Sequence, residues 1–262
     1  MSTETIIVER DEGIVTITLN RPERKNAGNG LMWQELHRTL SEVGRRRQDR
    51  VVVLTGAGGA FCSGADIGDP KGVSGDPDDP HLVRMRFFGQ VVLALRSLLK
   101  PTIAKVRGIA AGAGMSLALG CDLIVASDNA RFSEIFSKRG LSVDGGSSWI
   151  LPRLVGLHRA KELAYFADVL SAEEAAGYGF VNRVVPDDEL DAFVDGWARR
   201  LAAGPPIALS MTKGLLDNAM SVSMAQALED EARCQTINFG TADTAEAMRA
   251  FAEKREPRFE GR

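Results

Sequence analysis

Two glycine-rich turns lie about fifty residues apart in the chain, GGAFCSGAD at 58–66 and RGIAAGAGMSLALG at 107–120. Each follows a short β-branched run, 51–55 and 102–106. A chain that leaves a strand through glycine can aim a main-chain N–H into open space, and two such strand ends can converge. A pair of converging N–H donors holds a negatively charged oxygen, which can be the largest single term in a catalysed reaction. A third segment, RFSEIFSKRGLSVDGGSSWILPRLVG at 131–156, adds one carboxylate, Asp144, on a glycine-flanked loop.

The elements that must position these groups follow from pattern. Residues 6–9 and 14–20 alternate around Asp11-Glu12-Gly13 and predict a β-hairpin. Residues 28–49 predict a helix with Leu31, Leu36, Leu40 and Val43 on one side. After the strand at 51–55 and its glycine turn, residues 67–80 hold three prolines, three glycines and four aspartates, the composition of a mobile loop. A helix over 81–99 carries Leu82, Met85, Phe88, Val92, Leu95 and Leu99. Strand, small-residue helix and strand then recur at 102–106, from 112, and at 122–126. This alternation predicts an α/β core. Ser171 and Glu174 form a capping box that starts another helix, residues 180–184 predict a strand, and from Asp187 the pattern is helical. The break at Gly204-Pro205-Pro206 divides the chain into a core, 1–203, and a helical region, 204–262.

Composition excludes several classes. A net charge of −3 offers no basic field for nucleic acid, and the Arg45-Arg46-Arg47 run reads as a solvated helix end. Three dispersed cysteines and three dispersed histidines show no metal-ligand spacing, so no metal is expected. No apolar span of 18 residues occurs and the N-terminus is acidic, so the expected location is the cytoplasm, off any membrane. The glycines at 56–59 lack dinucleotide-loop spacing, because Phe61 stands where the third glycine should.

Five motifs in order, NRPERKNAGNGLM (20–32), GGAFCSGADI (58–67), GIAAGAGMSLALGCDLIVAS (108–127), SAEEAAGYGFVNRVVPDDEL (171–190) and AFAEKREPRFEGR (250–262), resemble the crotonase superfamily, the enoyl-CoA hydratase/isomerase family. The resemblance implies an α/β fold of repeated ββα units, a C-terminal helical trimerisation region, and assembly as a homotrimer or dimer of trimers. It implies acyl-CoA substrates, with coenzyme A part of the substrate and no permanently bound cofactor. By position, the oxyanion-hole N–H groups are those of Ser63 and Ala113, the latter strengthened by the helix that begins there. Coenzyme A lies across Arg24, Lys25 and Ala27, with adenine near Ala65, Asp66 and Ile67. Phe251 and Lys254 complete a neighbouring subunit's site.

The chain departs from the family's hydratases at both catalytic carboxylates, where Ser116 and Phe136 stand instead. Asp144 in GLSVDGG resembles the aspartate of the family's single-aspartate isomerases of the 1,2-epoxyphenylacetyl-CoA type. The resemblance thus implies double-bond isomerisation, with Asp144 as acid/base in an acyl pocket lined by Ser116, Phe136, Leu141 and Trp149. That apolar lining would raise its proton affinity by desolvation. Two alternatives stand beside it. One is a hydratase sharing the work among Ser116, Asp144 and a loop residue, Asp69 or His81. The other is an acyl-CoA-binding protein without turnover. Asp144 could also simply cap a helix starting near Gly145.

Overall fold

The computed structural model describes residues 4–68 and 80–262. In chain order the elements are β1 (Ile6–Asp11), β2 (Ile14–Leu19), α1 (Gly30–Arg45), β3 (Val51–Gly56), α2 (His81–Arg96), β4 (Thr102–Val106), β5 (Ile109–Ala111), α3 (Ala113–Gly120), β6 (Leu123–Ser127) and β7 (Arg131–Ser133). They continue as α4 (Ser147–Val155), α5 (Leu157–Phe166), β8 (Leu170–Ser171), α6 (Ala172–Tyr178), β9 (Arg183–Val185), α7 (Leu190–Ala202), α8 (Pro206–Asn218), α9 (Met224–Phe239) and α10 (Ala242–Glu253).

One sheet runs β1-β2-β3-β4-β6-β9, with the β1–β2 hairpin antiparallel and every later pairing parallel. A second, smaller sheet runs β5-β7-β8. Central strands such as β3 are buried on both faces, which is why they read as unbroken apolar runs in the sequence. Helix α7 covers one face of the large sheet through Leu190, Val194 and Ala198, all buried against Val51, Val53, Ile103 and Val125. The other face meets α1, α2 and α3 in the larger core.

Helix α1 begins two residues later than its pattern predicts. Asn29 is the N-cap, its side chain accepting the Met32 N–H at 3.0 Å. Gly28 is instead tied to the 64–66 segment, donating to Gly64 O and accepting from Asp66 N, each at 2.8 Å. Leu31 is exposed, and Met32 and Trp33 join Leu36, Leu40 and Val43 on the buried side. Helix α2 ends at Arg96, leaving Leu99 exposed, and Leu82 is exposed too. The strand predicted over 180–184 is only Arg183–Val185. Phe180 and Val181 are plugs in the core, Phe180 meeting Phe132 edge-on at 5.4 Å between ring centroids. Most of the residues predicted as a loop at 67–80, including Asp69, lie outside the described ones.

The three C-terminal helices contrast with the core. Neither α8 nor α9 buries a residue, and α10 buries only Asp243 and Ala250. No helix among the described residues is long and apolar enough to cross a membrane.

Candidate active site

The two glycine-rich turns do converge. Helix α3 is buried along its whole length, and it approaches the first turn so closely that a Cβ on Gly114 would stand 2.1 Å from Cys62 O. Its N-cap, Gly112, has φ 51° and ψ −124° and supplies no side chain, so Ala113 opens the helix with its N–H unspent on any backbone acceptor. A Cβ on Gly64 would lie 3.8 Å from the Ala113 nitrogen. The Gly64 end of the first turn and the N-terminus of α3 therefore face each other.

Ser63, the donor expected from the first turn, is engaged elsewhere. Its N–H is committed to Lys25 O at 3.0 Å, and its hydroxyl donates to Arg24 O at 3.2 Å. In a regular strand the N–H groups of Ser63 and Ala65 would face the same side. Gly64, at φ 110°, shifts the alternation by one residue. Asp66 N–H then faces Gly28, and Ala65 N–H is turned away without a backbone partner among the described residues. In this turn the N–H free of a backbone partner is therefore that of Ala65, one turn of the alternation from the Ser63 that the sequence suggested.

These ends open on a cavity of about 370 Å³ lined by Arg24, Ala27, Ser63, Gly64, Ala65, Asp66, Ile67, Ala111, Gly112, Ala113, Ile135, Phe136, Arg139, Leu141 and Asp144. A second cavity of about 480 Å³ shares Ala65, Asp66, Ile67, Ala113, Leu141 and Asp144 with it, and adds Trp33, His81, Arg84, Met85, Phe88 and Ser142. Asp144 stands where the two meet. Of the residues predicted to contact coenzyme A, Arg24, Ala27, Ala65, Asp66 and Ile67 line this space, whereas Lys25 is exposed and does not. Asp66 is already engaged, bonded to Arg21 at 2.8 Å and accepting the Gly68 N–H at 3.1 Å. Phe251 is exposed, Lys254 ends α10, and neither lines the cavity.

Asp144 is not a helix cap. Gly146 occupies the N-cap of α4 with no side-chain bond, and Asp144 contributes only its main-chain carbonyl, which accepts the Ser147 N–H at 3.0 Å. Its Oδ1 is buried with no hydrogen-bond partner among the described residues. Burial raises its pKa to about 6. It is thus a base of increased strength that stays largely ionised near neutral pH.

Two members of the predicted acyl pocket lie elsewhere. Ser116 is buried beneath Asp144, its Oγ 3.1 Å from Asp144 O, 3.2 Å from Gly112 O and 3.0 Å from Ser147 Oγ. Trp149 points away, because α4 turns Ser147, Ile150 and Leu151 inward. The Arg153 guanidinium stacks 3.8 Å from its ring, and it lines a separate cavity with Arg96, Lys213 and Asp217. Phe136 and Leu141 do line the site, joined by Trp33, Met85 and Phe88 from α1 and α2. Cys62, in the first glycine-rich turn, has its thiol pushed up to about 11 by burial and is no nucleophile.

The sequence reading missed Glu134. Only 1% of it is exposed, neither carboxylate oxygen closes a hydrogen bond among the described residues, and burial raises its pKa to about 7. A signal was present, since residues 132 and 134 share a face at strand period and Phe132 is a core residue.

The model of the enoyl-CoA hydratase/isomerase family matches residues 9–262. The chain belongs to the enoyl-CoA hydratase/isomerase family. Among its relatives, the 1,2-epoxyphenylacetyl-CoA isomerase of Escherichia coli is 39% identical over 260 residues, covering 99% of each chain. The short-chain-enoyl-CoA hydratase of Clostridium acetobutylicum is 34% identical over 260 residues and 97% of each chain. The crystal structure of an enoyl-CoA hydratase from Bacillus anthracis superposes with a TM-score of 0.93 at 32% identity, over 99% of this chain and 100% of that one. The fold is accordingly that of the crotonase superfamily. Family members of both activities resemble this one over nearly their full length, so the reaction must be read from the site.

Proposed function

We propose that this family member binds an acyl-CoA and shifts a carbon–carbon double bond within its acyl group. The carrying observation is that Asp144 is a half-buried carboxylate whose Oδ1 is sealed without a partner among the described residues, beside two unspent main-chain donors, with no second free carboxylate lining the described cavity. Asp66 is held by Arg21, and Glu134 does not line the cavity.

In this reading the thioester carbonyl oxygen accepts the N–H groups of Ala65 and Ala113. Asp144 removes a proton from the carbon next to the thioester of a 3-enoyl-CoA, and the electron pair moves into the enolate. The oxygen's new charge is held by the two donors and by the N-terminus of α3. Asp144 then returns the proton two carbons farther along, giving the conjugated 2-enoyl-CoA and regenerating the carboxylate. Adding water instead requires one group to deprotonate water and another to protonate carbon. Ser116 is buried and hydrogen-bonded, and Phe136 has no titratable group.

One observation favours a second reading. His81 lines the same cavity as Asp144, and hydration would need both. Conversion of a 3-enoyl-CoA by wild type and by His81→Ala, with none by Asp144→Asn, supports one-base isomerisation. Hydration of a 2-enoyl-CoA that is lost in both variants would overturn it. The orphaned Oδ1 argues against a protein that only binds, because a polar atom buried without a partner costs stability and is retained where chemistry uses it. The unburied helices α8–α10 support assembly into a trimer or a dimer of trimers, to be measured by light scattering.

A further inference from the structure

The cations around the site fall into two groups. Arg24 and Arg139 line the cavity that holds Ser63 and Gly64, on the side expected for coenzyme A. Arg84 lines only the other cavity, together with Trp33, His81, Met85 and Phe88. It stands in the first turn of α2, the end of a helix dipole least suited to a cation. That turn holds no acidic residue, and its N-cap, Pro80, makes no side-chain bond. Arg84 is half-buried, and its Nε is sealed without a hydrogen-bond partner among the described residues.

The acids that share the cavity do not serve it. Asp66 is bonded to Arg21 at 2.8 Å. Asp144 has its pKa raised by burial alone, so no neighbouring cation holds its charge. Trp33 is a second unspent donor in the same wall. It is fully buried, its ring centroid lies 4.8 Å from that of Phe88, and its Nε1 has no acceptor among the described residues. Gly28 makes room for this ring, since a Cβ there would stand 1.9 Å from the indole Cζ2.

An acyl chain ending in a methyl group would leave the Arg84 guanidinium desolvated and unpaired. Sites with buried donors discriminate strongly against ligands that lack the matching acceptor. Resting on the reading that the thioester lies at Ala65 and Ala113, we propose that the acyl group ends in a second carboxylate, which Arg84 holds. The substrate class is then an ω-carboxyacyl-CoA. A guanidinium can meet both oxygens of a carboxylate with parallel hydrogen bonds, matching charge and geometry together. Asp144 lines both cavities, so it stands between the thioester and the anchored end. A chain fixed at both ends holds its middle carbons against the base, and the terminal carboxylate itself passes through the reaction unchanged.

Calorimetry with saturated thioesters tests this, because they bind without turnover. Glutaryl-, adipoyl- and suberoyl-CoA are compared with pentanoyl-, hexanoyl- and octanoyl-CoA, the monocarboxylic partners of equal length. In at least one pair the diacid should bind about tenfold tighter or more, the worth of a charge-assisted hydrogen bond. Arg84→Gln should bring that ratio to about one, and Arg84→Lys should recover part of it. The ratio is taken within each variant, so a partial loss of folded protein cancels. A wild-type ratio of one or less in every pair, or a ratio that survives Arg84→Gln, overturns the proposal. In the first case, bound monocarboxylic partners leave the acyl-CoA reading standing, whereas no binding of either member overturns both. A diacid preference without isomerisation of any 3-enoyl-CoA retains the carboxylate site and sinks only the isomerase reading.

Discussion

The Ser116 hydroxyl lies 3.1 Å from the main-chain carbonyl of Asp144. The family's hydratases have a carboxylate at the position of this serine; here the serine is a buried strut under the loop that carries the single carboxylate. The same oxygen lies 3.0 Å from Ser147 Oγ and 3.2 Å from the carbonyl of Gly112, the residue before Ala113, so its single hydrogen serves one carbonyl at a time. One hydroxyl thus lies between the proposed base and the proposed oxyanion hole. Ser116→Ala should lower kcat about tenfold while leaving KM nearly unchanged, since it loses one buried hydrogen bond and touches no substrate. Steady-state kinetics on the 3-enoyl-CoA decides this, and a change confined to KM would contradict it.

Gly64 sets the direction of the other donor. A side chain at φ 110° is strained, and its Cβ would stand 3.0 Å from Ala111 O. Gly64→Ala should turn Ala65 N–H away from the site. Loss of one oxyanion donor costs about 10²–10³ in kcat, and a matched melting curve would separate this from unfolding. Ser63→Ala, which keeps every main-chain bond, should retain most of the activity.

The sequence disclosed the architecture wherever pattern and burial coincide. The apolar run of β3, the capping box at Ser171, and the glycines that let α3 press on Cys62 are local signals with one physical solution. It failed where the outcome depends on a dihedral or a partner. Nothing in the string FCSGAD says that Gly64 takes a positive φ and exchanges Ser63 for Ala65 as the free donor. Trp149 looked like pocket lining because it is large and near Asp144, but the start of α4 fixes its direction, and that depends on Gly146 taking the N-cap. Glu134 was overlooked because charged residues are rarely placed inside without a partner, although its strand parity with Phe132 pointed inward.

The displacement of Trp149 separates two sets of variants. Trp149→Phe should leave the KM values of short and long acyl-CoA substrates unchanged, because the ring faces Arg153 and a different cavity. Phe136→Ala should widen the site and shift preference toward bulkier acyl groups, one methylene being worth about 1–3 kcal/mol in such pockets. A panel of acyl chain lengths assayed on both variants checks this. An altered length preference in Trp149→Phe would restore the indole to the acyl pocket.

Burial of two carboxyl groups also fixes a pH dependence of stability. Glu134 rises from an ordinary 4.5 to about 7 and Asp144 from 3.8 to about 6, so the folded chain binds protons more tightly than the unfolded one at both sites. Stability from these groups is therefore complete below about pH 4, and it declines as pH rises through about 6 and then about 7. For Glu134, which is sealed from solvent, the decline is on the order of 3 kcal/mol. Glu134→Gln removes that term. The variant should match wild type within about 1 kcal/mol near pH 4 and exceed it by a few kcal/mol near pH 8 in urea unfolding. The sign is the discriminating feature, since a carboxylate held by a cation would make the substitution most harmful at high pH. An equal effect at both pH values would mean that Glu134 is not buried as an acid.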